Sequence, residues 1–282
     1  MFEGTFDRLF PWLLRGAWAA LPVAAGGSVH VRLWAAVVLW AAWGLVLLAT
    51  LVPQPIGLTA LRVATPLAVA GALWSTDPAA IVSTLIAAAL AFAPATGLLF
   101  VNGAAYPNER RFPLRAPGPL LAGLLPLAWA LAVGPVVAGA VLLHHDRWVA
   151  GGVLLAAALP LAAVLLRAIH GLSRRWLVFV PAGVVLHDPL SLADPVLFQR
   201  KSIEALGLAP ADTDSLDLTQ RSPGLAVELV LTEKVPMTLV RPGRRKNALE
   251  QGSSARLLFT PTRPGAVLEE AARRRLSRMP GR

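Results

Sequence analysis

The sequence predicts an α-helical transmembrane bundle of five or six spans, followed by a soluble α+β domain, mostly β, of about seven strands and a C-terminal helix. Three observations predict it. Apolar runs of membrane-spanning length follow one another between Leu33 and Leu166. After Arg174 the pattern changes to short apolar runs broken by turn residues, at intervals too short for bundle helices. With 56% hydrophobic and 15% charged residues and a mean hydropathy of +0.61, the chain is too apolar for one ordinary soluble domain, where charged residues run at about 25%. The chain divides into residues 1–30, an interfacial helix or first span; 31–172, the bundle; and 173–282, the soluble domain.

A bilayer core about 30 Å thick takes roughly 20 apolar helical residues to cross. Leu33 to Val52 meets that length without a charge. Ile56 to Trp74 is a second span, in which Arg62 is expected to lie near the start and snorkel to the headgroups. Ala79 to Val101 is a third, with Asp77-Pro78 as its start signal. Leu120 to Leu143 and Val149 to Leu166 form an antiparallel hairpin around the short link from His144 to Trp148. Leu9 to Gly27 is long enough to cross, yet it holds Arg15, Pro11 and Pro22, so it reads as either a span or an in-plane helix with Trp12 and Trp18 at headgroup level.

Arginine placement orients the bundle. With five spans, the side of the soluble domain collects seven arginines against four; with six the ratio is eight to two. The positive-inside rule therefore puts the C-terminal domain in the cytoplasm and favours six spans.

Candidate chemistry is sparse. The absence of cysteine excludes a disulfide framework, a thiolate metal site and a cysteine nucleophile. Span interiors lack the acidic, lysine and histidine side chains that proton-coupled transporters use. His144, His145 and Asp146 are metal-ligand types, but adjacent side chains on a short loop do not converge on one ion. Ala130, Gly134 and Ala138 have the small-residue spacing of close helix packing. Asp212 to Asp217 lacks the glycine and later glutamate of a calcium loop, and His187-Asp188 reads as a strand end. No cofactor motif is present. The preponderance of arginine over lysine, found only at Lys201, Lys234 and Lys246, points to a GC-rich bacterial source.

In the soluble half, Trp176 to Val180, the turn Pro181-Ala182-Gly183 and Val184 to His187 predict a hairpin. Further strands are expected at Pro195 to Ile203, Ser215 to Thr219, Leu225 to Thr232, Val235 to Val240 and Arg256 to Thr260, then a helix from Pro264 to Met279. Residues 173–282 carry 17 basic and 11 acidic side chains, a net charge of +6. The densest basic loop holds Arg241, Arg244, Arg245 and Lys246; Arg273, Arg274, Arg275 and Arg278 stud the final helix. The link between the third and fourth spans adds Arg110, Arg111 and Arg115 beside Glu109 and the single tyrosine, Tyr106. It reads as a solvated positive loop, a headgroup contact or a segment docked on the soluble domain.

Seven strands and a terminal helix behind transmembrane helices resemble the bacterial pleckstrin-homology-like (PH-like) domains of small multi-pass membrane proteins. The stretch from Trp176 to Asp188 is similar to that family's opening hairpin. The bundle with Glu109-Arg110-Arg111-Phe112-Pro113 looks like uncharacterised actinobacterial integral membrane proteins. The resemblance implies scaffolding or interaction rather than catalysis, although the lysines that lipid-binding members cluster in the first hairpin are missing.

The expectation is thus a non-enzymatic, multi-pass protein of a bacterial plasma membrane, displaying a cytoplasmic PH-like module. Its partners would be the bilayer with its anionic headgroups or another protein, contacted through Arg241, Arg244, Arg245, Lys246, Arg110, Arg111 and Arg115. Nucleic acid is not expected, because aromatic residues do not interleave the basic ones. The alternatives are a transporter or channel component, and a membrane enzyme acting on lipid precursors.

Overall fold

A computed structural model describes residues 2–24, 32–241 and 248–276. The chain forms two compact units. One holds Met1–Ala104 and Leu127–His170, the other Ala105–Pro126 and Gly171–Arg282. The link between the third and fourth spans is therefore part of the sheet unit, and the chain passes between the units three times.

The helical unit comprises α1 (Phe2–Ala24), α2 (Leu33–Leu51), α3 (Pro55–Ser75), α4 (Pro78–Phe92), α5 (Pro94–Asn102), α6 (Leu125–His144) and α7 (Trp148–Leu172). A π-helical turn, Leu120–Leu124, leads into α6. Among the described residues, four helices are long and apolar enough to cross a membrane: α2, α3, α6 with its leading turn, and α7. The expected third span is instead a bent pair, α4 and α5, at 59° across Ala93, and it makes a fifth if both halves count as one.

Along α1, Phe10, Leu14, Trp18 and Leu21 recur at helical spacing and are buried. The last three pack with Val46, Leu58, Leu61, Ala91 and Phe100 from α2 to α5. The Trp18 indole donates to Trp43 O at 3.2 Å, and the Trp43 indole to Trp18 O at 3.0 Å. Arg15 Nε donates to Thr50 O at 3.1 Å, close to the C-terminus of α2. Helices α6 and α7 approach closely at Gly139 and Gly151, where a Cβ on Gly151 would lie 2.9 Å from Gly139 O. The predicted stripe takes no part in that contact: Ala130, Gly134 and Ala138 are exposed.

Among the described residues, the sheet unit has eight strands in two four-stranded sheets and a last helix, α8 (Pro264–Arg273). The first sheet has the order β1-β2-β3-β4, with β1 Arg110–Pro113, β2 Trp176–Val180, β3 Gly183–His187 and β4 Val196–Gln199, all antiparallel. The second has the order β5-β7-β8-β6, with β5 Ile203–Leu208, β6 Leu216–Asp217, β7 Val227–Arg241 and β8 Ala248–Phe259. Alternate residues of β2, Leu177 and Phe179, point into a core with Phe112, Leu186 and Phe198. Gly183 closes the β2–β3 turn at φ +152°, and a Cβ there would collide with Phe198 O on β4.

Several elements differ from expectation. The run from Pro195 to Ile203 is β4, a 3₁₀ turn at Arg200–Ser202 and the start of β5. Leu225 to Thr232 and Val235 to Val240 form one strand, because the register shifts between Val230 and Val235 without a chain reversal. Strand β8 reaches back to Ala248 through a polar stretch with no apolar alternation. The last helix ends at Arg273, and Arg275 takes a positive φ of 54°.

Candidate functional site

In the helical unit, the feature that stands out is the break between α4 and α5. Pro94 has no N–H, and its ring crowds the carbonyl four residues back, so α4 cannot continue. Leu90 O accepts instead from Ala93 N at 3.2 Å and from the Thr96 hydroxyl at 2.5 Å. Ala91 O accepts from Arg62 Nε at 3.3 Å, and the Arg62 guanidinium lies over the Phe92 ring at 5.9 Å. Arg62 thus reaches the end of α4 from a position about a third of the way along α3. It sits seven residues beyond Pro55, about 10 Å along α3, against the carbonyl end of α4, where helix polarity favours a cation. Three residues nearer the start of α3, the Thr59 hydroxyl meets His170 Nδ1 at 2.9 Å.

The structure brings the predicted residues Arg110, Arg111 and Arg115 into the sheet unit. Arg110 is exposed at the start of β1. Arg111 pairs with Glu109 at 3.0 Å and stacks over Trp176 at 5.5 Å, with Trp176 in turn stacked on His187. The Arg111 guanidinium holds the Glu109 carboxyl below the usual range. Arg115 is half-buried; its Nη2 reaches Thr262 O at 3.5 Å, while its buried Nε has no hydrogen-bond partner among the described residues. Arg241 ends β7. Arg244, Arg245, Lys246 and Arg278 lie outside the described residues.

Two buried ionic groups were not legible as such in the sequence. Arg175 and Asp188 are each 1% exposed and pair through two bonds of 2.6 and 2.8 Å. Arg175 Nη1 also donates to Arg115 O at 2.7 Å, while Asp188 accepts from Leu190 N and the Ser191 hydroxyl. This arrangement satisfies both charges and fastens the interspan segment to the β2–β3 hairpin. The second group is Glu228 on β7, whose side chain is fully buried. One of its oxygens accepts from Thr213, Ser215 and Arg256; the other, Oε2, has no partner among the described residues. Burial, the largest single influence, pushes this carboxyl up, but the Ser215 and Thr213 hydroxyls with Arg256 outweigh it and hold it below the usual range. The supposed calcium-like stretch thus contributes two hydroxyls to a carboxylate and a short strand, β6.

At the far end of the helical unit, Asp146 is taken up by Arg32 through bonds of 2.7 and 2.5 Å, and the pair is exposed. Among the described residues no group of three or more histidine or acidic side chains is placed to hold a metal. Against known proteins, the chain matches no family model, no curated protein and no solved structure.

Proposed function

We propose that this chain is a non-enzymatic, multi-pass protein of a bacterial plasma membrane whose sheet unit is a cytoplasmic PH-like module that engages anionic headgroups or a protein partner, in envelope biogenesis or as a membrane scaffold. The observation that carries the reading is the partition of charge. The interspan segment adds three arginines and one glutamate to the C-terminal portion, so the sheet unit holds a net +8 of the chain's +10, while the other unit offers apolar helices with exposed leucine, valine and tryptophan. Near an anionic leaflet each basic side chain contributes on the order of 1 kcal/mol. The ends of α5 and α7 and the start of α6 all lead into the sheet unit, which requires them to share one membrane side; arginine asymmetry makes that side the cytoplasm. Two sheets closed by a terminal helix support the PH-like reading.

The absence of native cysteine makes a test direct. An Asn247→Cys variant, dye-labelled and reconstituted in vesicles, should be quenched by headgroup nitroxides in anionic but not zwitterionic lipid, and salt should release it. Replacing Arg244, Arg245 and Lys246 together with glutamate should abolish the anionic quenching. Equal quenching in both lipids would defeat the headgroup reading.

The break between α4 and α5 favours a second reading, a transport component, because irregular backbone at membrane depth is tolerated where it is enclosed by protein or lines a cavity. Solute flux in proteoliposomes that falls in an Arg62→Gln variant would support it.

A further inference from the structure

A single exposed leucine on a soluble domain is ordinary, but an exposed apolar cluster without charge marks a contact surface. Two stretches of the sheet unit, residues 205–211 and 222–227, contain no charged side chain, although the unit carries +8. The fold brings them together. The first ends β5 and the second starts β7: Leu208 pairs with Val227, and beyond that position Ala209 N donates to Ala226 O at 3.0 Å. Leu225 thus lies diagonally across from Leu208. Both are open, Leu225 at 61% and Leu208 at 48%, and Pro210 and Pro223 are exposed beside them. On the loop side the bordering charges are Asp212 and Arg221, both exposed.

What covers this tip follows from the chain beside it. Arg221 O accepts from Gly118 N at 3.2 Å, the Ser222 hydroxyl donates to Arg115 O at 2.9 Å, and a Cβ on Gly224 would lie 3.0 Å from Arg115 Nε. The loop is therefore tied to 115–118 at three points. Gly118 stands two residues before the apolar run Leu120–His144, and Arg115 is the last charge ahead of it. Two residues reach at most ~7 Å, so the loop backbone is held within about 10 Å of the start of the run. Leu121 and Leu124, at the head of that run, are exposed as well.

We propose that the tip formed by Leu208, Pro210, Pro223 and Leu225 inserts into the interfacial layer of the leaflet that Leu120 enters, with lipid as its occupant. The inference rests on the reading of Leu120–His144 as a membrane span. Burial of apolar surface supplies the attraction, while Arg221 at the border keeps its guanidinium at the level of the phosphates. A protein occupant is the poorer fit, because it would have to displace the lipid that meets the chain at Leu120. The contact differs in chemistry from the basic-loop contact proposed above. It needs no anionic headgroup, and salt does not release it.

The test uses the full chain, which has no native cysteine, in vesicles of zwitterionic lipid. A dye on Pro223→Cys should be quenched by nitroxides at a shallow acyl position and shielded from iodide in the water, and high salt should change neither. Adding Leu208→Asp with Leu225→Asp should remove the lipid quenching and open the dye to iodide, whereas adding Leu225→Met should leave both as they were. A dye on Val137→Cys, an exposed position inside the run, is the reference and should be quenched by nitroxides deep in the acyl chains. Without that signal the span reading fails and the insertion with it. With it, a Pro223→Cys dye open to iodide overturns the insertion alone. A dye shielded from both iodide and lipid nitroxides would assign the tip to a protein, a second copy included, and likewise overturn it. The anionic quenching at Asn247→Cys is a separate signal, so either contact can fail while the other stands.

Discussion

The two units handle buried polarity in opposite ways. In the helical unit, the buried hydroxyls of Thr50, Thr65 and Thr84 bond within their own helices, to Leu47 O, Leu61 O and Ala80 O. In the sheet unit, buried groups join segments far apart in the chain, as Arg175 joins Asp188 to Arg115 O and Glu228 joins Thr213 to Arg256. An apolar helix in lipid must satisfy its backbone internally, so each span can form before it packs. The sheet unit cannot be built that way, because its first strand arrives between two spans and its remaining strands follow the last one. Arg62 marks the break, a long-range bond to Ala91 O where Pro94 interrupts the local ladder.

The largest expected effect comes from cutting the buried pair. Arg175→Met leaves the Asp188 carboxylate enclosed without a counter-charge, which costs about 3–5 kcal/mol. Hydrogen exchange in the full-length protein should show β2 and β3 losing protection while α2 and α3 keep theirs. Adding Asp188→Leu should recover much of the loss, because two apolar side chains no longer strand a charge. A double variant as unstable as the single one would mean that packing, and not ionic closure, holds the hairpin.

A smaller loss should follow Phe112→Ala on β1, about 3 kcal/mol for removing a ring that is 3% exposed. The sharper form of the experiment separates the segments. The sequence suggests that residues from about Ser173 fold alone, yet the compact unit includes 105–126. Residues 171–282 expressed by themselves should melt with low cooperativity, and a peptide of residues 105–118 added in trans should raise the melting temperature. An identical transition with and without peptide would show that β1 is dispensable.

That contrast also governs how much of the molecule the sequence discloses. Helices α2, α3, α6 and α7 are legible because each is specified by a single apolar run. The hairpin from Trp176 to His187 is legible because alternation and Pro181-Ala182-Gly183 are local. Strand β1 is not, since Arg-Arg-Phe-Pro has one apolar side chain directed at the core and gains its identity from β2, over 60 residues away. The polar outer half of β8 is hidden for the same reason, its pairing being dictated by β7. Among the candidate contact residues, Arg111 and Arg115 belong to a segment that the sequence leaves open as a solvated loop, a headgroup contact or a piece docked on the soluble domain; in the fold Glu109 and Trp176 engage one and Thr262 the other. Arg175 is counted with the orienting charges of the membrane boundary, and only the fold reveals that it is buried.

Acid should act on the sheet unit through Glu228. Its carboxyl is held below the usual range near 4.3, so its stabilising contribution is complete above that range and is lost as the pH falls through the lower folded value. Glu228→Gln, expected to cost about 1–3 kcal/mol, should flatten this acid limb when stability is followed by urea unfolding across the acidic range. An unchanged acid limb would assign the loss to other carboxylates.

The smallest effect is expected where the geometry is as good as at Arg175. Arg32 and Asp146 also make two bonds, of 2.7 and 2.5 Å, and the Arg32 guanidinium draws the Asp146 carboxyl below its usual range. The pair lies at the surface, however, with side chains 40% and 62% exposed. Each ion keeps most of its hydration when the partner is removed, and salt screens what attraction remains. Asp146→Asn should therefore leave the thermal midpoint of the helical unit unchanged, at both low and high ionic strength. A clear drop at low salt alone would show that the link from α2 to the α6–α7 turn holds the helices electrostatically. If so, burial would not be the variable that separates this pair from Arg175 and Asp188.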